Sequence, residues 1–191
     1  SSGGPFEPSP AYSRFVLALL FLVAAFNLID RQIFGILIEP IKREFGASDT
    51  ALGLLTGLSF ALFYALGGIP IARWADRGVR RSIIALGLAV WSALTFASGL
   101  AQSFGQLVVA RLGVGVGEAA GTPPSHSLIA DYFPPQRRAS ALAIFSVGAS
   151  LGTAAAYLVG GWVAELYGWR AVFFAVGAPG VVLALLVRFA V

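Results

Sequence analysis

Four charged residues lie inside stretches that are otherwise apolar: Asp30 and Arg31 in one, Arg111 and Glu118 in another. A charge at bilayer depth costs at least ~3 kcal/mol on insertion scales, so such residues face a cavity or each other and mark a function. Arg111 and Glu118 are two helical turns apart, which puts both on one helix face, ~10 Å from each other along the axis. Between them Gly113, Gly115 and Gly117 remove side-chain bulk. The pattern predicts a cavity wall that a neighbouring helix or a ligand approaches closely. Two carboxyls and two guanidiniums support two kinds of chemistry. A carboxyl whose arginine partners switch can load and release a proton, and a guanidinium fork can hold a phosphate. A static clasp between two helices is the competing account, because a buried ion pair also serves packing specificity.

The elements that must hold these residues follow from composition. Apolar residues make up 58% of the chain and charged residues 12%, with mean hydropathy +0.83. Soluble domains carry roughly 25% charge, so this is an integral, multi-pass, all-α membrane protein. Cysteine is absent, which removes disulfides and thiolate metal sites. Methionine is absent too, position 1 included, and this predicts a piece of a longer protein. The chain predicts a flexible tail over 1–13, then a domain over 14–191. Its six apolar spans are expected at about 15–38, 51–72, 82–100, 107–129, 139–163 and 171–191. Glu39 to Gly46 reads as a short amphipathic connection, with Ser48 or Asp49 capping the next helix.

Lysines and arginines fix the orientation. With the N-terminus inside, the inner side holds Arg14, Arg73, Arg77, Arg80, Arg81, Arg137, Arg138 and Arg188, against Lys42, Arg43 and Arg170 outside. The positive-inside rule then makes the N-terminus cytoplasmic. A net charge of +4 spread over the membrane faces gives no reason to invoke nucleic acid.

A faint repeat at 89 residues lays Ala75-Asp76 on Ala164-Glu165 and Arg81 on Arg170, and brings Asp30 within one residue of Glu118. Three helices repeated with inverted topology place a substrate site where the repeats meet, near mid-membrane. Depth supports a meeting of the charges. Asp30 is roughly 22 Å from the inner end of its span, and Arg111 roughly 6 to 10 Å from the outer end of its own. The two can pair, and Arg31 can reach Glu118.

The loop Ala72-Arg-Trp-Ala-Asp76-Arg77-Gly78-Val-Arg80-Arg81 resembles the signature between helices 2 and 3 of the major facilitator superfamily, G-x-x-x-D-R-x-G-R-R. Ala72 replaces the first glycine and the second is displaced to Gly78. Arg111 with Gly115 and Gly117 is similar to the helix 4 motif of that superfamily. Ala156-Tyr157-Leu-Val-Gly160-Gly161 departs from its antiporter signature, G-P-x-x-G-G. Within the superfamily, Asp30-Arg31, Arg111 to Ala119, Leu128-Ile-Ala-Asp131-Tyr-Phe-Pro and Arg137 to Phe145 resemble the Spinster family of lipid transporters.

The resemblance implies the N-terminal six-helix half of a transporter and a second six-helix domain outside this chain. It also implies lysophospholipid- or sphingoid-type substrates moved by alternating access, protons as the coupling ion, and a bacterial inner membrane. Asp30 and Glu118 are the expected proton carriers, Arg31 and Arg111 the substrate and charge network, and Asp76, Arg77, Arg80 and Arg81 the conformational-switch loop. No cofactor, metal or enzymatic constellation is expected. The alternatives are export of other small organic molecules or drugs, and a non-transporting receptor or scaffold. His126 reads as a packed or interfacial residue rather than a proton relay. Pro123-Pro124 is expected to bend or break the fourth span. Trp91, Trp162 and Trp169 read as packing or interface anchors.

Overall fold

The first helix begins where its sequence supplies a cap. Ser9 accepts a hydrogen bond from the Tyr12 amide at 3.3 Å, and Pro10, whose ring pre-sets a helical φ, takes the first helical position. Helix α1 therefore spans Pro10–Ile36. The computed structural model describes residues 9–191, the side chains of residues 75–77 excepted. Residues 10–13, expected in the tail, are thus helical, because capping extends the helix beyond the apolar run. Residues 1–8 of that tail lie outside the described residues.

At the other end α1 stops at Leu37, and the connection is itself a helix, α2 (Ile38–Phe45), closed by Gly46 in the left-handed conformation at φ 61°. Ser48 caps α3 (Asp49–Leu54) through the Ala51 amide at 3.2 Å. A π-helical turn, Leu55–Ser59, joins α3 to α4 (Phe60–Arg77), and the three form one span. Helix α5 (Arg80–Gly99) follows, then α6 (Phe104–Glu118) and α7 (Thr122–Tyr132). Helix α8 (Pro135–Ala155), a second π turn (Ala156–Gly160) and α9 (Gly161–Tyr167) make the fifth span, and α10 (Trp169–Ala190) the sixth.

Among the described residues, five continuous stretches are long and apolar enough to cross a bilayer. The fourth crossing is the broken pair α6/α7. Its break falls at Ala119 to Gly121, directly before Pro123 and Pro124, whose missing N–H groups deprive the carbonyls one turn back of partners.

Packing repeats within the chain. Helix α1 lies along α8, α6 lies along α4, and α5 lies along α10. The first helix of each set of three thus contacts the second helix of the other, and the third helices contact each other. Because each set has an odd number of crossings, the second set is inverted, as in transporter half-domains. Close approach depends on glycine. A Cβ on Gly152 would stand 2.2 Å from the Ala25 carbonyl oxygen, and one on Gly177 2.6 Å from the Phe96 amide. Among the described residues two large apolar clusters fill the bundle, with a small third at Ile83 and Ala120. One, around Leu20, Leu88, Trp91 and Val187, sits at the end bearing the basic loops, and the other, around Ile33, Leu107, Trp169 and Phe173, at the opposite end. The intramembrane charges occupy the layer between them.

Candidate functional site: a four-charge layer at mid-bundle

Asp30 lies on α1 between the two apolar clusters and is wholly buried. Its carboxylate accepts from both sides. Arg111 Nη1, from α6, donates to Oδ2 at 3.2 Å and to Oδ1 at 3.3 Å, and Thr95 Oγ1, from α5, donates to Oδ1 at 2.5 Å. Arg111 Nη2 reaches the Asp30 main-chain carbonyl at 3.3 Å. The guanidinium stands 5.2 Å from the Phe34 ring centroid and 5.9 Å from that of Phe173. Three helices therefore meet at one carboxylate, and aromatic faces complete the desolvated shell of its cation.

One residue along α1, Arg31 turns about 100° away around the helix. Its Nη2 donates to Glu118 Oε2 at 3.0 Å and its Nε to the same oxygen at 3.3 Å. The guanidinium lies 5.2 Å from the Phe60 ring and 5.0 Å from that of Tyr64, both on α4. Exposure divides this pair: the Arg31 side chain is 39% accessible and Glu118 wholly buried. Glu118 is the last residue of α6, placed there by the break before α7. Its Oε1 is buried with no hydrogen-bond partner among the described residues, and Asp30 and Arg111 are the other charges acting on it. Asn27 Nδ2, one turn before Asp30 on α1, is likewise buried with no partner among the described residues.

Beside Arg31 a cavity of about 310 Å³ opens between α1 and the π turn. Arg31, Gln32, Thr56 and Arg111 supply its polar lining, while Phe34, Leu55 and Phe60 supply apolar wall. The arrangement offers an anion the accessible Arg31 fork, with the buried Arg111 behind it, and an apolar body a greasy flank.

The structure thus brings together Asp30 with Arg111 and Arg31 with Glu118, the two pairings that depth along the helices suggests. Of the neighbouring helix or ligand that the glycines of α6 are expected to admit, the structure shows a helix at two of them. A Cβ on Gly117 would meet Trp91 at 2.9 Å, and one on Gly113 would meet Leu94 at 2.7 Å, so these positions admit α5 rather than a ligand. Residue spacing missed Thr95, Phe60 and Tyr64, since a lone threonine and two aromatics in apolar helices carry no signature until their neighbours are known. Of the basic-loop residues, Arg80 pairs with Asp131 of α7, and Arg81 is exposed. The side chains of Asp76 and Arg77 lie outside the described residues. His126 is exposed and sets its ring edge-on to Phe145 at 5.1 Å. Trp91 is buried packing, Trp162 is exposed, and Trp169 is buried with its indole N–H on Glu44 at 2.8 Å.

Comparison with known proteins places this geometry. The family model described as Major Facilitator Superfamily matches residues 20–191. Among curated proteins, the chain is 42% identical over 171 residues to an "MFS-type efflux pump" of Mycolicibacterium smegmatis, covering 90% of this chain and 40% of that protein. It is 31% identical over 169 residues to a "Probable L-galactonate transporter" of Escherichia coli, covering 88% of this chain and 37% of that one. Among solved structures it is similar to a bacterial homologue of the human lysosomal transporter Spinster, in an inward-facing and occupied conformation. That match has TM-score 0.91 and 44% identity, over 94% of this chain and 44% of the other. The chain spans about 40% of the length of the curated relatives it matches.

Proposed function

Because this chain belongs to the Major Facilitator Superfamily and carries a six-helix half of its fold, we propose that it is the N-terminal half of a proton-coupled secondary transporter of amphiphilic, lipid-like substrates. The observation that carries this reading is Arg31. It is anchored on the buried Glu118 by two hydrogen bonds, yet it faces a cavity that is polar at one side and apolar at the other. An amphiphile of the lysophospholipid or sphingoid type has that same division. Its charged head would compete with Glu118 for the Arg31 fork, and its chain would follow Phe34, Leu55 and Phe60.

Such competition couples substrate to protons. When an anionic head takes Arg31, the buried Glu118 loses its counter-charge, and a proton is the cheapest replacement in a low-dielectric layer. Among the described residues its Oε1 accepts no hydrogen bond, so protonation there displaces no donor. Asp30, held by Arg111 and Thr95, is the second carrier proposed, with Arg111 as the group that must let go. Alternating access would then be the rocking of this half against a second six-helix half around the charged layer. The excess of lysine and arginine at one set of helix ends supports a cytoplasmic N-terminus, and on this reading the bundle sits in a bacterial plasma membrane.

A second reading rests on the same arginine. The Arg31 fork lining the cavity also fits a carboxylate, so a small organic anion is the alternative substrate class. Flux in proteoliposomes holding the full-length transporter separates the readings. A lysophospholipid should move on an imposed pH gradient, and a sugar acid should not compete. Asp30→Asn and Glu118→Gln, inserted normally, should each lower proton-driven flux at least tenfold. Full proton-driven flux in both variants would remove the coupling role, and competition by the sugar acid alone would favour the organic-anion reading.

A further inference from the structure

Small residues on packed helices leave a groove where their neighbours are large. At the end of the bundle bearing the basic loops, Ala85 and Ala89 of α5 and Ala184 of α10 form a floor, and Trp74, Leu86 and Leu185 rise beside it as exposed walls. The groove has a volume of about 370 Å³. Its two ends differ. Ser82 and Arg188 form a polar mouth, and Ala89 lies ~10 Å further along α5 with only apolar residues on the way.

Charge decides what fits the mouth. Arg188 is exposed on the last turn of α10, and among the described residues no carboxylate pairs with it; its recorded contact is the Phe189 ring, 5.7 Å from the guanidinium carbon. Arg80, at the start of α5, is by contrast neutralised by Asp131. A guanidinium without a carboxylate partner among the described residues, at the mouth of an apolar groove that an indole also lines, is the complement of an anionic headgroup at the membrane interface. A free anion would leave the apolar floor unused, and a second protein segment would leave the guanidinium unpaired unless it brought its own acid.

We infer that this groove binds one anionic glycerophospholipid from the surrounding leaflet, with its phosphate on Arg188 and Ser82 and one acyl chain over Ala85, Ala89 and Ala184. The site lies at the bundle end away from α2 and the cavity beside Arg31, so it is not the transport cavity. Because α4 meets α5 only sparsely, a lipid in this groove would join them where the protein itself does little.

The test is quenching of Trp74 by brominated lipids in the detergent-purified protein, with Trp74→Phe as the baseline for the other three tryptophans. Dibrominated phosphatidylglycerol should quench the Trp74 component with an apparent affinity roughly fivefold above that of dibrominated phosphatidylcholine, the factor one interfacial arginine supplies. Arg188→Gln should abolish that preference, while Arg137→Gln, an equal loss of charge on the same face, should leave it. Ala89→Phe should fill the floor and weaken quenching by both lipids. Equal quenching by the two lipids in the unsubstituted protein would overturn the site, and so would equal loss of preference in Arg188→Gln and Arg137→Gln. Absence of Trp74 quenching by either lipid would show the groove covered by protein and overturn it too. Should Ala89→Phe not fold, the arginine pair still decides.

Discussion

Arg31 and Arg111 are both intramembrane, yet their surroundings assign them different work. Arg111 is buried, pins Asp30 through side chain and main chain, and lies between two rings, so its role is internal. Removing one member of such a pair costs ~3–5 kcal/mol, because the other charge is left buried and alone. Arg31 faces the cavity and shares its fork with Glu118. A lysine keeps the charge at either position but cannot reproduce a planar fork. Arg31→Lys should therefore weaken transport of a phosphorylated amphiphile several-fold while sparing a neutral one. Arg111→Lys should instead change the pH profile of transport for both substrates, by loosening Asp30. The pair is measured as flux across a pH series with one substrate of each kind, and identical behaviour of the two variants would remove the division of roles. Thr95→Val tests the third donor to Asp30: losing a hydrogen bond to a charged group costs ~1.5–3 kcal/mol, read as a lower thermal midpoint in detergent.

At the scale of elements, the bundle depends on where its helices touch. Gly152 sits against the Ala25 carbonyl, so Gly152→Val must push α1 from α8 at a cost of ~1–3 kcal/mol, whereas Gly161→Ala, with nothing near its Cβ position, should be neutral or mildly stabilising. The comparison is a thermal melt of each variant. At the opposite end from the basic loops, α2 is held to α10 by one carboxylate. Glu44 accepts from Arg170 at 2.7 Å and from Trp169 at 2.8 Å, and Arg170 also reaches the Ala101 carbonyl at 2.9 Å. The Arg170 hydrogen bond, then that of Trp169, holds the Glu44 carboxyl below its ordinary value of 4.5. A depressed folded-state value means the contribution is complete above about 4.5 and fades as pH falls through the lower folded value. Glu44→Gln should therefore flatten the fall of the melting temperature below pH 4.5, and an unchanged acid slope would show the clamp contributes nothing. The six crossings are legible in sequence because bilayer thickness demands ~20 apolar residues each, and Asp30 and Arg111 because charge is costly there. Helix ends are less legible, since Ser9 and Pro10 act through local geometry that hydropathy does not register. The π turns and the use of Gly113 and Gly117 for packing depend on which helix lies opposite, a property no single stretch encodes.

For the whole molecule, the distribution of exposure says where a second body would sit. The spans containing α4 and α8 are the least buried of the five continuous ones, and they are the second helices of the two repeats, flanking the face where Arg31 opens to its cavity. On the proposed mechanism, two halves rocking about that face would make and break contacts at their ends, while contacts inside each half would persist. The basic loop holds one contact of the internal kind: Arg80 with Asp131 ties the start of α5 to the end of α7, within this half. Asp76, by its place in the loop that resembles the superfamily signature, is the proposed contact to the other half. Asp76→Ala and Asp131→Ala each remove one carboxylate from the same face, so bulk charge changes equally and only the partner differs. In the full-length transporter, Asp76→Ala should shift the population toward the inward-open arrangement. Asp131→Ala should lower thermal stability by at most ~1 kcal/mol, the worth of an exposed pair, without moving that equilibrium. Spin-label distances across the two membrane faces measure both. A shift in Asp131→Ala equal to that in Asp76→Ala would mean that the charge of the face, not a contact between halves, sets the balance.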